Sequence, residues 1–218
     1  MVSALTLSFL KLLAKNNSRE WFEKNRSKYD AAKAEHTLFI QNLIEALSKV
    51  DPKLKGLTPK DCVFRIYRDV RFSKNKDPYK TNLGAGINPG GKKVEIAGAY
   101  IHLEPGKSFI AGGRWMPDAP TLKRIRQEID YNTASFKKII SNKDFVKQFN
   151  QLEGQKLKTV PKGYSRDHPE IEFLKHTSFI VSRELDDKLV TSPDFINELT
   201  IAYKAMQPFL RFLNSALD

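Results

Sequence analysis

A single cysteine, Cys62, stands in the 218-residue chain, which excludes an internal disulfide and any thiolate-rich metal site within one copy. Beside Val63 and Phe64 it reads as a small buried hydrophobe. Histidine is sparse too: His36, His102, His168 and His176 lack metal-ligand spacing. His102 and Glu104 are placed to share a strand face, but two ligands do not define a zinc site. No metal and no other cofactor is therefore expected. Long apolar runs are missing, because Leu5 to Leu13 and Leu38 to Leu47 are broken by polar residues well short of the roughly 18 to 20 residues of a membrane span. No membrane partner is expected. No serine lies in a Gly-x-Ser-x-Gly elbow and no nucleophilic triad is visible. Asp69, Glu95, Glu104, Asp167 and His168 are available for acid-base work, with no substrate placed beside them. The opening Met1 to Thr6 has no basic lead and no cleavage pattern, so a cytoplasmic location is expected.

Acidic residues are also in short supply: 25 Asp and Glu face 37 Lys and Arg, a net charge of +12. Such an excess suits an acidic partner. Its distribution is uneven. Between Val63 and Lys93, Arg65, Arg68, Arg71, Lys74, Lys76, Lys80, Lys92 and Lys93 are opposed by Asp69 and Asp77 alone, so half the net charge lies in about a seventh of the chain.

Length and composition are those of an ordinary globule, and one domain over 1–218 is expected. Leu5, Phe9, Leu12 and Leu13 form a helical stripe that ends near Asn16-Asn17. With Asn17 as cap and Glu20 three residues on, a second helix carries Trp21, Phe22, Tyr29 and Leu38 to Leu47 as far as Asp51-Pro52, with a kink or division around Ala34 to Thr37. The character then turns to β. Val63 to Phe72 alternates, placing Phe64, Ile66, Arg68, Val70 and Phe72 on one face and Arg65, Tyr67, Asp69 and Arg71 on the other. Leu83 to Ile87, Val94 to Leu103 and Ser108 to Gly112 follow as strands, with further helices near Pro117 to Pro120 onward and over Lys143 to Leu152. A short helix at Phe173-Leu174 and a strand at Ser178 to Val181 come next. Ser192-Pro193 opens a last helix, with Pro208 expected to bend it. The expected fold class is α+β: a central antiparallel sheet of four to five strands, 63–112 plus 178–183, packed by N-terminal and C-terminal helices.

Two glycine motifs have plain readings. Gly86 to Lys92 matches half of a phosphate loop, but Lys93 replaces the metal-holding Ser or Thr and a strand follows where a helix is needed, so a hairpin turn is expected. Gly112-Gly113-Arg114-Trp115 reads as a strand-to-helix turn from which Arg114 is able to join the cationic cluster.

The run Arg65-Ile66-Tyr67-Arg68-Asp69-Val70-Arg71-Phe72, continuing through Lys74, Asn75 and Lys76 to Tyr79-Lys80, interleaves cations with aromatics. Guanidinium groups at this density need carboxylates, phosphates or ring faces. Arg68, on the apolar side of the expected strand, reads as a buried structural arginine. Asp69 is placed to orient one of Arg65 and Arg71 and leave the other free for an anion.

Arg65, Arg68, Asp69, Arg71, Phe72, Asn75, Lys76 and Tyr79 fit the pattern R-x-x-R-D-x-R-F-x-x-[D/N]-K-x-x-Y. In this the chain resembles a mainly bacterial family catalogued as domain of unknown function 2461. The resemblance extends to Asn16 to Phe22, Gly163-Tyr164 and Asp167-His168-Pro169, nearly the full chain, and it implies no assigned activity. The first reading is a pocket for a small anionic or phosphorylated ligand built from Arg65, Arg68, Asp69, Arg71, Lys76, Tyr79, Lys80 and Arg114. One alternative is a nucleic-acid-binding groove with Tyr67, Phe72 and Tyr79 as stacking platforms. The other is a structural or partner-binding protein whose arginines form an internal salt-bridge network.

Overall fold

The computed structural model describes residues 1–217. Ten α-helices and four strands are assigned: α1 (Ala4–Lys15), α2 (Arg19–Lys24), α3 (Arg26–Ser48), α4 (Pro59–Cys62), β1 (Leu83–Ile87), β2 (Gly98–Leu103), β3 (Ser108–Arg114), α5 (Ala119–Tyr131), α6 (Thr133–Ile140), α7 (Lys143–Phe149), α8 (Ile171–Leu174), β4 (Phe179–Leu185), α9 (Asp187–Val190) and α10 (Phe195–Ser215). The strands form one antiparallel sheet in the order β1-β2-β3-β4, so the class is α+β, with four strands where four to five were expected. No described helix is long and apolar enough to cross a membrane.

The expected strand over Val63 to Phe72 does not form. Val63 and Tyr67 make only isolated antiparallel bridges, to Ala85 and Tyr79. The Arg68 N–H donates to the Pro78 carbonyl and the Lys80 N–H to the Ile66 carbonyl. Pro78 has no N–H to return, so the ladder stops there and residues 68–78 run as an irregular loop. The expected facial alternation fails with it: Ile66 is buried, but Phe64 is 37% exposed and Phe72 is 96% exposed.

Packing groups the chain into two compact units. The first comprises Met1–Val94, Tyr100–Ile110 and Glu184–Thr200. Its α1 buries Thr6, Phe9, Leu10 and Leu13, a face rotated from the expected stripe, since Leu5 is largely exposed. Glu35 of α3 ties down the start of α1, accepting from the Ser3 N–H, the Ser3 hydroxyl (2.7 Å) and the Thr6 hydroxyl. The second helical stretch divides at Asn25 rather than around Ala34 to Thr37, and α3 runs unbroken through that region. The cap of α2 is Ser18, whose hydroxyl accepts from the Trp21 N–H at 3.2 Å. Phe39, Ile40, Leu43, Ile44 and Leu47 of α3 are buried, each burial of this kind contributing roughly 1.5–3 kcal/mol, and α3 packs on β1.

Released from capping, Asn17 takes another role. Its Nδ2 donates to the Tyr79 carbonyl at 2.9 Å and its Oδ1 accepts from the Tyr79 N–H at 3.1 Å. The Tyr79 ring is 4% exposed and stacks on Phe22, with centroids 3.9 Å apart and planes 11° from parallel. Thus the far end of the 68–78 loop is fastened to the first helices by one amide and one ring pair.

The second unit comprises Glu95–Ala99, Ala111–Arg183 and Ile201–Asp218. A phenylalanine cluster fills it: Phe136 lies 5.3 Å from Phe173 and 5.2 Å from Phe212, and Phe145 lies 5.8 Å from Phe209. Met206 of α10 fits against Gly112 of β3, where a Cβ would collide with its sulfur. α10 starts at Phe195, two residues beyond Pro193, and Ser192 Oγ is buried without a hydrogen bond rather than capping the helix. Pro208 lies in the helix interior.

Two outcomes follow for stability. His36 of α3 is 1% exposed and its Nε2 has no hydrogen-bond partner; burial pulls its pKa from 6.5 down to about 4. The unfolded chain therefore binds the extra proton between these values, so stability falls as pH drops from about 6.5 to about 4, by about 3 kcal/mol in all, and levels off below. Urea midpoints across this range are expected to show that slope in the native chain and to lose it in His36→Phe. Asn17→Ala is expected to cost about 1–3 kcal/mol, read as a lowered Tm, because two backbone groups of Tyr79 lose their partner.

Candidate functional site

The loop from Arg65 to Lys80 divides its side chains between internal ties and outward-facing groups. Arg68 is partly exposed rather than buried on an apolar face. Its guanidinium donates to the Asp77 carbonyl at 3.0 Å and to Ser73 Oγ at 3.4 Å, so it braces the loop through oxygen acceptors, without a carboxylate. Lys76 Nζ donates to the Val70 carbonyl at 3.0 Å. Asn75 Oδ1 accepts from the Asp77 N–H at 2.8 Å, an Asx turn that brings the chain back toward Pro78. Tyr79 supplies a ring to the core, as described above.

Asp69 chooses Arg71. Its two oxygens accept from Arg71 Nε at 3.0 Å and Nη2 at 2.7 Å, the bidentate fork of a guanidinium on a carboxylate. The hydrogen bonds from Arg71 hold the Asp69 carboxyl below its ordinary pKa. Both side chains are largely in solvent, so this pair orients more than it stabilises. Arg65 is left over: exposed, near enough to Asp69 to depress its pKa further, and without a hydrogen bond or ion pair among the described residues.

Lys80 lies beside Arg65. Burial first and the charge of Arg65 second lower the Lys80 pKa from 10.5. Its Nζ stands 5.5 Å from the centre of the Phe64 ring, a π-face placed to offset that repulsion. The outward set is therefore Arg65, Lys80, the free edge of Arg71, Lys74 and the exposed ring of Phe72, over which the Arg71 guanidinium sits 5.9 Å from the centroid.

Arg114 belongs to the second unit. It pairs with Glu95 at 2.9 Å, its side chain is 12% exposed and its Nε is buried without a partner. Glu95 is thereby occupied as an ion-pair partner. His168 uses both ring nitrogens, Nε2 against Asp130 Oδ1 at 2.9 Å and Nδ1 accepting from the Glu170 N–H at 3.1 Å, which fixes its tautomer as a structural brace. Asp167 is exposed in the turn that precedes it.

One constellation adds Tyr100 and Thr81 to the His102 and Glu104 pair that the sequence places on one strand face. In the first unit, Tyr100, His102 and Glu104 follow one another on the less buried side of β2 and its extension. Tyr100 Oη lies 3.1 Å from His102 Nδ1, and His102 Nε2 lies 3.2 Å from Glu104 Oε2. Thr81 Oγ1 donates to the other Glu104 oxygen at 2.7 Å. Burial pushes the Glu104 carboxyl up, but the hydrogen bonds from Thr81 and His102 together with the nearby positive charge outweigh it, and the pKa ends below its ordinary value. The alternation of period two places His102 and Glu104 on one face; the same arithmetic extended by one step reaches Tyr100, and nothing local to the sequence points to Thr81. A surface groove of about 630 Å³ along α3, lined by Asp30, Lys33, Thr37 and Leu38 among others, contains none of these residues.

No curated protein matches the chain, and no solved structure does. A family model spans residues 5–212, covering the cationic loop, the β2 network and both units, and its description is that of a conserved hypothetical protein, without an activity. The chain belongs to that family, DUF2461.

Proposed function

We propose that the Arg65–Lys80 face binds a small anionic or phosphorylated ligand. The observation that carries this reading is a pair of cations: the Lys80 N–H reaches back to the Ile66 carbonyl, next to Arg65, the charge of Arg65 helps lower the Lys80 pKa, and Asp69, the carboxylate that feels Arg65, gives both its oxygens to Arg71. Like charges held together without an internal anion raise the free energy of the empty face, and an external anion relieves it. Arg65 and Lys80 are the ligand's direct contacts, and Arg71 is presented by Asp69 with one guanidinium edge free. Arg68, Lys76 and Tyr79 act by shaping the loop. The internal-network alternative requires the arginines to be spent on carboxylates; Arg71 meets Asp69 and Arg114 meets Glu95, whereas Arg65 and Arg68 meet none among the described residues.

The 96% exposed Phe72, flanked by Arg71 and Lys74, favours a second reading in which the ligand is single-stranded nucleic acid, with a base stacked on that ring and phosphates on the cations. The two readings separate in solution. For a small anion, saturating inorganic phosphate or pyrophosphate at about a hundred times its Kd is expected to raise Tm by about 5–10 °C. Arg65→Ala and Lys80→Ala are expected to weaken binding roughly tenfold or more each, while Phe72→Ala leaves it unchanged. Affinity falls as pH rises through the lowered Lys80 pKa, because the ammonium is the binding form. For nucleic acid, Phe72→Ala costs about 1–3 kcal/mol, and log K falls with log salt at about 0.7 per phosphate neutralised. No Tm change with phosphate, pyrophosphate or sulfate, and no oligonucleotide binding at low salt, would remove both.

A further inference from the structure

We propose that Tyr100, His102 and Glu104 form a group-transfer site in which the Tyr100 oxygen, activated by His102, attacks an ester centre. The geometry is that of a nucleophile, a base and an orienting carboxylate in hydrogen-bonded sequence: 3.1 Å from phenol to imidazole, 3.2 Å from imidazole to carboxylate, and 2.7 Å from that carboxylate to Thr81. Each member fixes the next. Thr81 leaves Glu104 Oε2 free to accept from His102 Nε2–H, which places the lone pair of Nδ1 toward the Tyr100 hydroxyl.

Three features make this more than a polar clamp on a sheet. The ring of His102 is stacked on Phe109, with centroids 4.6 Å apart and planes 13° from parallel, which holds the imidazole in the plane the relay needs. Gly84 on β1 clears the space under the phenol: a Cβ there would stand 2.6 Å from Tyr100 Oη. Phe64, its ring centroid 6.1 Å from that of Tyr100, also carries Lys80 over its face, so one ring links the relay to the cationic loop of the same unit. The phenol is protonated at rest, because burial first and the Glu104 charge second raise its pKa, and it is therefore a donor to Nδ1 that needs a base, as a serine hydroxyl does. Besides His102, Lys107 is the charged side chain that acts on the Glu104 carboxylate.

The step balances without a further reactant. Tyr100 Oη bonds to the carbonyl or phosphoryl centre of the ester, and the leaving oxygen departs with the electron pair of the broken bond. The phenol proton passes to His102 Nδ1 and from there to the leaving oxygen. Glu104 is a positioning residue that stabilises the imidazolium between the two transfers. With an aryl sulfonyl fluoride in place of the ester, the S–O bond forms on Tyr100, fluoride leaves, and the proton accompanies it.

The test is mass-spectrometric labelling of the full chain with a neutral aryl sulfonyl fluoride, which does not depend on the anion-binding reading, so loss of either leaves the other standing. Tyr100 is expected to label faster than Tyr131, which is 77% exposed and serves as the internal reference. The rate is expected to exceed what phenol ionisation alone supplies, because His102 takes the proton. His102→Ala is expected to slow labelling at Tyr100 by roughly a hundredfold or more and to leave a pH profile set by phenol ionisation alone, and Glu104→Gln to slow it by about tenfold, with Tyr131 unaffected in both. Labelling of Tyr100 no faster than Tyr131 in the native chain, or a pH profile that follows phenol ionisation alone, overturns the proposal even where a variant fails to fold. An unchanged Tyr100 rate in a folded His102→Ala overturns it equally.

Discussion

The fastening of Tyr79 is the constraint on which the site depends. One asparagine side chain satisfies both backbone groups of Tyr79, and one ring, Phe22, receives its side chain. Next along the chain, Lys80 is set by the same contacts, because its own N–H reaches back to Ile66. That bond brings the Arg65 side of the loop alongside the Lys80 side. Without it, two cations on flexible stems would separate, as Coulomb repulsion in water and side-chain entropy both favour. The fold thus supplies the work that keeps Arg65 and Lys80 together, and it commits both oxygens of the nearby Asp69 to Arg71.

The family pattern reads differently once the loop is seen. Arg68, Asn75, Lys76 and Tyr79 are consumed in closing and anchoring it, through carbonyl oxygens, an Asx turn and a stacked ring. Asp69 and Arg71 form one oriented unit. What faces outward is Arg65 and Phe72, with Lys74 and Lys80 beside them. Most of the motif is spent on the loop's own scaffold, and few of its side chains are left facing outward. The relay on β2 is built on the opposite principle: its members lie on a regular strand, where spacing alone brings them into contact.

Much of this was legible in the residues, and the failures have specific causes. β1 falls at Leu83–Ile87 as the turn signals around it imply, and β2, β3 and β4 overlap their expected spans. The alternating run at Val63 to Phe72 misled because side-chain period says nothing of whether a partner strand can return hydrogen bonds, and Pro78 cannot. Asn17 looked like a cap because cap preference belongs equally to its neighbour; Ser18 took the helix and Asn17 took Tyr79, 62 residues away. The sequence offers Asp69 two arginines, and only the geometry of the loop decides for Arg71. Thr81 and the stacking of Phe109 on His102 are tertiary contacts that no local pattern encodes.

The proposed capture of an external anion by Arg65 and Lys80 is tested most directly by an NMR titration of the Lys80 ε-ammonium with and without inorganic phosphate. In the free protein its pKa lies below the ordinary 10.5, held down by burial and by Arg65. Saturating phosphate is predicted to raise it, with the change reduced in Arg65→Ala. A Lys80 resonance and pKa that do not move at any phosphate concentration would contradict the account.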